Sequence, residues 1–422
     1  MNTKNILTWA SYDFANSLAF INVSVYFSLW LINDLNASDL WVTIPVILTT
    51  LILFFTLPSL GVLSDKLNRR KPFLVGFSIL AIGSLLALGI TASGVTPGDT
   101  SKLVIVSVFY FLFQYFYQGS LAFYYSFIQE LAIKKSREWI SGIGFAAGQL
   151  GNIAGLLIAL PIAQSALSIF GVTGKPLLFS FAGVLFLVFM LPTILFLKDN
   201  PRRWDYAVSP KSLGDIIKGL RKIRKYPGVL EYLVTFYLFA DALLTLQLFS
   251  SLYLAKVGGF NNKEITLVFL AGLITSTLGG LFSRKLSTHL GGTKKTISYM
   301  ILLWGLILTI MAVLHYQILF VPMVMLYGFA FGTLFSLSRA FFSQLVPNDK
   351  QGEMFSIYVL FERFASVLGP LIWSITAIIF SFLGDANKYR VSVFALGIIV
   401  FISYFTLKRV KEPKIKGIEI NT

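Results

Sequence analysis

The chain has 422 residues, of which 56% are hydrophobic and only 13% are charged. Soluble globular domains carry about a quarter charged residues, so this composition, with a mean hydropathy of +0.77, indicates a chain whose solvent is lipid. The absence of cysteine excludes disulfides and thiolate metal sites. The net charge of +16 does not indicate nucleic-acid binding, because the basic residues are concentrated in alternate loops, as membrane topology requires.

Twelve apolar segments approach or exceed the length of about 20 residues that a helix needs to cross a bilayer. Their predicted bounds are 9–31, 41–63, 72–92, 103–129, 140–163, 176–197, 229–255, 264–283, 296–314, 318–341, 354–382 and 390–407. The predicted fold is an all-α integral membrane protein with twelve transmembrane helices in two six-helix halves. The predicted divisions are an N-terminal half at 1–197, a basic linker at 198–228, a C-terminal half at 229–407 and a tail at 408–422.

An internal repeat supports the two halves. The run Gly61-Val-Leu-Ser-Asp-Lys-Leu after the second segment is echoed 219 residues later by Gly280-Leu-Phe-Ser-Arg-Lys-Leu after the eighth. Parallel repeats of this kind are typical of transporters built from two similar halves, whereas a channel or a membrane enzyme has no need of them.

The positions of lysine and arginine predict the orientation. If Arg339 and Arg390 are counted with the loops beside them, the N-terminus, the even-numbered loops and the C-terminal tail hold 28 of the 35 basic residues. The odd-numbered loops hold 6, and Arg363 lies inside a segment. This bias predicts that both termini are cytoplasmic and that the protein is a multi-pass protein of the cell (inner) membrane. Within the linker, 216–225 alternates isoleucine and leucine with basic residues, which fits either an amphipathic helix on the anionic leaflet or a solvated basic linker.

Ionisable and amide side chains inside the segments are the candidate functional residues, because burying them in lipid is costly. Asp13, Asn16 and Asn22 lie in the first segment. Asp241 lies twelve residues into the seventh, about 18 Å along the helix and therefore near the bilayer midplane. We expect Asp241 to be a proton-coupling or substrate-contacting residue, unless it forms a buried ion pair with Arg339 or Arg363.

The fourth segment carries a polar stripe. Gln114, Gln118, Tyr125 and Gln129 fall on one helical face, which either lines a cavity or forms hydrogen bonds between helices.

Glu362 and Arg363 in the eleventh segment are further candidates, with either a substrate-binding or an ion-pairing role. Arg339 lies near the inner end of the tenth segment and is the third charged candidate. The fifth segment carries two Gly-x-x-x-Gly runs, Gly144–Gly148 and Gly151–Gly155, which predict close helix packing.

Signals for enzymes and cofactors are missing from the sequence. It contains no phosphate-binding G-x-x-x-x-G-K-[ST] run, and its two histidines lack metal-ligand spacing. We therefore expect no catalytic activity, no cofactor and no metal. The expected partners are a small-molecule substrate, the lipid bilayer and protons as a coupling ion, with no nucleic acid, and the chain is expected to be a monomer.

The basic run Gly61–Lys71 joins the second and third segments as a predicted tight loop. Its pattern G-x-L-x-D-[KR]-x-x-[RK]-R-[RK] resembles the helix 2–3 loop of the major facilitator superfamily, with Asn68 at the position of the usual second glycine. The resemblance implies alternating access, with Gly61, Asp65, Arg69 and Arg70 forming a gating loop that latches the two halves at the cytoplasmic face.

Further stretches resemble one branch of that superfamily, which includes the autophagy-related vacuolar amino-acid effluxers and uncharacterised bacterial relatives. They are Tyr12–Ser17, Ser141–Gly148, Ser338–Pro347, Gly352–Phe355 and Leu368–Pro370. This resemblance implies a secondary active transporter for a small polar metabolite, with amino acids as one substrate class.

Three other interpretations remain open from the sequence. Within transporters the alternative is a proton-coupled drug or sugar exporter. A non-transporting membrane scaffold or receptor is another, although a sizeable soluble domain or long tail would be expected for it. A membrane-embedded lipid transferase is the third, although the clustered carboxylates or histidines that it would need are missing.

The orientation can be tested with single cysteines, because the chain contains none of its own. A cysteine replacing Ser212 in the linker should react with a membrane-impermeant maleimide only after the cells are permeabilised. Labelling of that cysteine from outside intact cells would contradict the predicted topology.

Overall fold

The computed structural model describes residues 3–67, 69–131, 137–169, 171–198, 226, 228–346, 354, 357–358, 361–362 and 364–411. These residues are almost entirely helical, as the composition predicts. The linker segment 199–225, with the predicted amphipathic helix, lies outside them.

The N-terminal half contains six helices and one short hairpin. The helices are α1 (Thr3–Ser28, extended by a π-helical turn at Leu29–Asp34), α2 (Leu40–Lys66), α3 (Lys71–Ala92), α4 (Thr100–Leu131), α5 (Arg137–Ala163) and α6 (Gly174–Phe196). Strands β1 (Ser168–Ile169) and β2 (Val172–Thr173) pair antiparallel between α5 and α6.

The C-terminal half contains six more helices. They are α7 (Val229–Lys256), α8 (Asn262–His289), α9 (Thr293–Val313), α10 (Gln317–Leu345), α11 (Leu368–Ile379) and α12 (Asp385–Arg409). A single 3₁₀ turn, Ser381–Leu383, separates the last two.

Eleven of the helices in the described part of the chain are long and apolar enough to cross a membrane. The exception is α11, and the prediction of one continuous helix over 354–382 is wrong. Helical residues before Ala365 are followed by a break at 365–367, and α11 begins only at Leu368. Pro370 lies in the first turn of α11, where proline is accepted because the N–H that it lacks would have no intrahelical partner.

The predicted tight loop at Gly61–Lys71 is also wrong in extent. Helix α2 continues through Lys66, so Gly61 and Asp65 are helical, and Arg69 and Arg70 precede α3. A single glycine costs a helix only about 1 kcal/mol, and packing overrides it. The side chain of Asp65 is outside the described part of the chain, so its latching role stays a prediction.

The same helix pairs pack in both halves. Contacts of α1 with α6, of α2 with α4 and of α3 with α6 recur as contacts of α7 with α12, of α8 with α10 and of α9 with α12. Across the halves, α1 contacts α7, α5 contacts α8 and α2 contacts α11. We call the end of the bundle at Thr3 and Arg409 the terminal face, and the end at Asp34–Leu40 the opposite face.

Glycines bring two helix pairs into backbone contact. On α5, a methyl group at Gly151 or Gly155 would overlap the backbone of α1, which confirms the packing predicted from the second Gly-x-x-x-Gly run. In the C-terminal half, Gly328 and Gly332 on α10 lie directly against backbone carbonyls of α8. Close backbone approach of this kind is how helices associate where lipid removes the hydrophobic driving force.

Gly332→Ala should destabilise the protein by about 1–3 kcal/mol, because the new methyl group would overlap the carbonyl oxygen of Ser276. The matched control is Gly83→Ala in the middle of α3, where no described atom lies within 4 Å of the added carbon. Thermal unfolding in detergent should show a lower Tm for the first variant only. Equal Tm values for the two variants would contradict the packing at α8 and α10.

Candidate functional site

A cleft between the halves contains two adjoining lobes, which share Phe20 and Gln247. The larger lobe, about 550 Å³, lies among α1, α2 and α4 on one side and α7, α10 and the 358–370 region on the other. The smaller lobe, about 290 Å³, lies between α1 and α5 and the helices α7, α8, α9 and α10. Cavities of this size accommodate small-molecule ligands.

The larger lobe, which we call the charged lobe, contains an arginine and a carboxylate from the C-terminal half. Nη2 of Arg339 lies 3.4 Å from Oε1 of Glu362, and the two side chains are 61% and 26% exposed. A guanidinium has five N–H donors, and the long contact to Glu362 together with an interaction with Tyr358 leaves several of them available, so this pair presents both signs of charge to the cleft.

The N-terminal half supplies the polar stripe of α4 to the same lobe. Gln114, Gln118 and Tyr125 all line it. Nε2 of Gln114 donates to Tyr110 at 2.9 Å, whereas its Oε1 has no hydrogen-bond partner among the described residues. The structure places these three side chains at the cavity, opposite Arg339 and Glu362, and the side chain of Gln129 lies outside the described part of the chain.

The smaller lobe, which we call the amide lobe, has no charged residue in its described lining. Gln149 and Asn152 from α5 face Gln247 from α7, and Asn152 donates to Gln149 at 3.4 Å. Aromatic rings complete the wall; they are Phe20, Tyr253, Phe269, Tyr327 and Phe331. Amides beside aromatic rings suit an uncharged, ring-bearing group.

Asp241 lies beside the break in the eleventh membrane segment. It is only 1% exposed, and the backbone N–H groups of Val367, Leu368 and Gly369 point to its carboxylate. A negative charge is favoured at a helix N-terminus, where amides lack intrahelical partners. Its Oδ1 nevertheless has no geometric hydrogen-bond partner among the described residues. Since Arg339 pairs with Glu362, the proposed Asp241–Arg339 pair is absent from the described structure, and Arg363 lies outside the described residues.

The three predicted candidates of α1, Asp13, Asn16 and Asn22, do not line either lobe. Asp13 lies next to Gly148 of α5 and interacts with Tyr124 of α4. Asn16 and Asn22 are 1% and 0% exposed, and neither Oδ1 has a hydrogen-bond partner among the described residues. Their predicted coupling role stays a prediction.

The cleft is closed at the opposite face by contacts between the halves. The hydroxyls of Thr43 and Ser374 are 2.6 Å apart, and Tyr26 bonds Thr266. Asn262 donates to the carbonyl of Ala163 at 3.2 Å. The hydrogen bonds between described residues of the two halves lie at this face or near the middle of the bundle.

Sequence reasoning missed four residues of the cleft and its closure. Gln149, Asn152 and Gln247 carried the same signal as the α4 stripe, namely amides inside apolar segments. Asp39 carried none, because a carboxylate directly before a helix is an ordinary capping residue. The described residues contain no group of three or more potential metal ligands.

A family model described as Major Facilitator Superfamily matches residues 12–370 and 292–420 of this chain. Among curated relatives, the uncharacterised MFS-type transporter YxiO of Bacillus subtilis is 25% identical over 425 residues, covering 94% of each chain. Autophagy-related protein 22 of Yarrowia lipolytica is 25% identical over 269 residues, covering 55% of this chain and 44% of that protein.

Among solved structures, a mutant of the nucleoside transporter NupG is similar with a TM-score of 0.78 and 13% identity. The match covers 96% of this chain and 100% of that one. At this identity the likeness shows the fold alone.

Proposed function

Since the chain belongs to the major facilitator superfamily and is a multi-pass membrane transporter, we propose that it moves a small polar metabolite by alternating access as a secondary active transporter. The observation that carries this proposal is the cleft between the halves. It contains an ion pair and side-chain amides from both halves, and hydrogen bonds between the halves close it at one face.

The orientation of the cleft is part of the proposal. The excess of lysine and arginine supports a cytoplasmic terminal face, so the structure corresponds to a state closed toward the outside. Two residues on the terminal side of the charged lobe are exposed. Tyr125 is 51% exposed, and the side chain of Arg339 is 61% exposed. A substrate would therefore enter the charged lobe from the cytoplasmic side in this state.

Amino acids are the proposed substrate class. The resemblance to the amino-acid effluxers supports it, and so does the pairing of Arg339 with Glu362 in the charged lobe. A zwitterion offers a carboxylate to the guanidinium and an ammonium to the carboxylate, so it could replace a weak 3.4 Å ion pair with two charge-assisted contacts. Its side chain would then lie toward Gln247 and the amide lobe.

The second candidate is a proton-coupled exporter of drugs or sugars. The observation that favours it is the amide lobe, whose described lining is uncharged and aromatic. A sugar ring or a neutral drug would fit that lobe without using the ion pair.

Counterflow in proteoliposomes tests the proposed function directly. Vesicles preloaded with unlabelled solute should accumulate radiolabelled amino acids, whereas xylose or ethidium exchange without amino-acid exchange would favour the second candidate. Arg339→Gln should reduce amino-acid exchange at least tenfold, because a lost charge-assisted bond is worth about 1.5–3 kcal/mol. The control Arg409→Gln, at the exposed end of α12, should exchange normally.

A charge swap separates binding from mere ion pairing. If Arg339 and Glu362 only stabilise the bundle, the double variant Arg339→Glu with Glu362→Arg should restore exchange. If they hold a zwitterion at a fixed position, the swapped variant should stay inactive while its Tm returns toward that of the wild type. Recovery of exchange would overturn the assignment of the pair to the substrate.

Asp241 is the proposed proton-carrying residue. It is a buried carboxylate on α7 beside the break that precedes α11, and the surroundings of α11 would change when the halves move. Asp241→Asn should keep counterflow, since an amide oxygen still accepts from the α11 amides, but transport should no longer respond to an imposed pH gradient. Asp241→Leu should instead lose about 1–3 kcal/mol of stability, because those amides lose their acceptor. Gradient-driven transport that persists in Asp241→Asn would exclude this residue and leave Asp13 as the next carboxylate.

A further inference from the structure

Asp39 is a buried carboxylate at the junction of the halves on the opposite face, outside both lobes of the cleft. It precedes the first residue of α2 and is only 5% exposed. Its Oδ1 accepts from the indole N–H of Trp373 at 3.3 Å, and its Oδ2 accepts from the hydroxyl of Tyr389 at 3.4 Å. Both donors belong to the C-terminal half, so these two bonds join α2 to α11 and α12.

An aromatic cluster holds the two donors in place. The ring of Trp373 stacks on Phe249 with centroids 4.8 Å apart and on Tyr389 with centroids 5.6 Å apart. Tyr253 packs edge-on against the same indole. All four rings are fully buried, so the acceptor position for Asp39 is preformed on the C-terminal half.

Most charged groups around Asp39 form ion pairs with residues other than Asp39. Lys388 on α12 is the charged side chain that acts on Asp39, but its Nζ lies 2.7 Å from Asp385. Asp385 is also bonded by Lys256 of α7 at 2.9 Å. On the N-terminal half, Asp34 at the end of α1 is paired with Lys175 of α6 at 2.8 Å.

Among the described residues the carboxylate therefore has only neutral donors, namely the Trp373 indole, the Tyr389 hydroxyl and its own backbone N–H, and it has no direct cationic partner. A buried charge without such a partner is costly, and protonation removes that cost. When the opposite face opens, α2 must separate from α11 and α12, and Asp39 then becomes hydrated.

From this geometry we infer that Asp39 is a proton-operated gate: protonation of its carboxylate favours closure of the opposite face, and ionisation favours opening. The inference rests on the alternating access proposed above and adds a regulator to it. The ligand of this site is a proton from the solution that the opposite face contacts.

The direction of the pH dependence follows from the two environments. Burial raises the pKa of Asp39 from 3.8 to about 6, although the hydrogen bond from Trp373 and the charge of Lys388 act in the other direction. In the open state the hydrated carboxyl should have its ordinary pKa. The closed state then binds more protons than the open state. Protonation therefore stabilises the closed state fully below the ordinary pKa, and this stabilisation is lost as pH rises through about 6. Between pH 7.5 and pH 5 the closed-to-open ratio should increase about tenfold.

Spin labels on the opposite face test the gate, because the chain has no cysteine of its own. Thr96→Cys lies in the exposed α3–α4 loop and His315→Cys in the exposed α9–α10 loop, one on each half. Double electron–electron resonance should show a short-distance population that increases about tenfold relative to the long one from pH 7.5 to pH 5. Asp39→Asn resembles the protonated acid, so its distances should be short and independent of pH.

Two further variants make the result specific. Asp99→Asn, on the same face but paired with Lys102 at the surface, should keep the wild-type pH response. Tyr389→Phe keeps the stacked ring and removes one donor to the ionised carboxylate, so the midpoint should move to higher pH. This variant decides the matter if Asp39→Asn does not fold.

Other outcomes would overturn the inference. An unchanged pH response in Asp39→Asn, or an unchanged midpoint in Tyr389→Phe, would exclude Asp39 as the gate. A wild-type distance distribution that ignores pH would do the same, and counterflow measured on the same preparation then shows whether the proposed function fails with it or stands alone.

Discussion

Lipid cannot hydrogen-bond a peptide group, and the architecture of this protein follows from that constraint. Helices satisfy the backbone within each segment, and eleven of the described helices are long enough to cross the membrane alone. The break before α11 frees three amides inside the bundle, and Asp241 places a carboxylate in front of them. Asp241 and the break before α11 therefore depend on each other, because the carboxylate needs donors and the amides need an acceptor. A helix break at this depth is tolerated only where the protein itself supplies the acceptor.

The two halves achieve rigidity and mobility in different ways. Inside a half, glycines allow backbone contact between α1 and α5 and between α8 and α10, and such interfaces have one well-packed arrangement. Between the halves, the described contacts at the opposite face are mostly single hydrogen bonds between hydroxyl groups or to carbonyls. Each is worth about 0.5–1.5 kcal/mol net, so a few of them can be exchanged for water without large cost. Under the proposed alternating access, each half would therefore move as a rigid body against the other.

The charged groups also differ in whether they face the cleft, join helices within one half or join the two halves. The Arg339–Glu362 pair faces the cleft, where solvent or a ligand can reach it, whereas Lys175 with Asp34 ties α6 to the end of α1 inside one half. Asp39 differs from both, because it spans the halves and has neutral donors. A pair inside one half stabilises that half in every state, and a contact between halves stabilises only the state in which it forms.

The sequence by itself determined the all-helical membrane fold, the number of segments and the repeat, because lipid selects long apolar helices and the hydropathy pattern records them directly. It also predicted Gln114, Gln118, Arg339 and Glu362 as candidate site residues, since polar side chains inside apolar segments are costly enough to stand out, and the structure places all four at the cleft. Only the tertiary structure decided that Arg339 pairs with Glu362, that the eleventh segment breaks at 365–367 and that α2 runs on through Lys66. Only it joined Asp39 to Trp373 and Tyr389, more than 300 positions away in the chain. The partners of Asp39 depend on how the two halves meet. Hydrophobic periodicity along one helix carries no information about which residues of the other half lie beside it, or about which face of the cleft is closed.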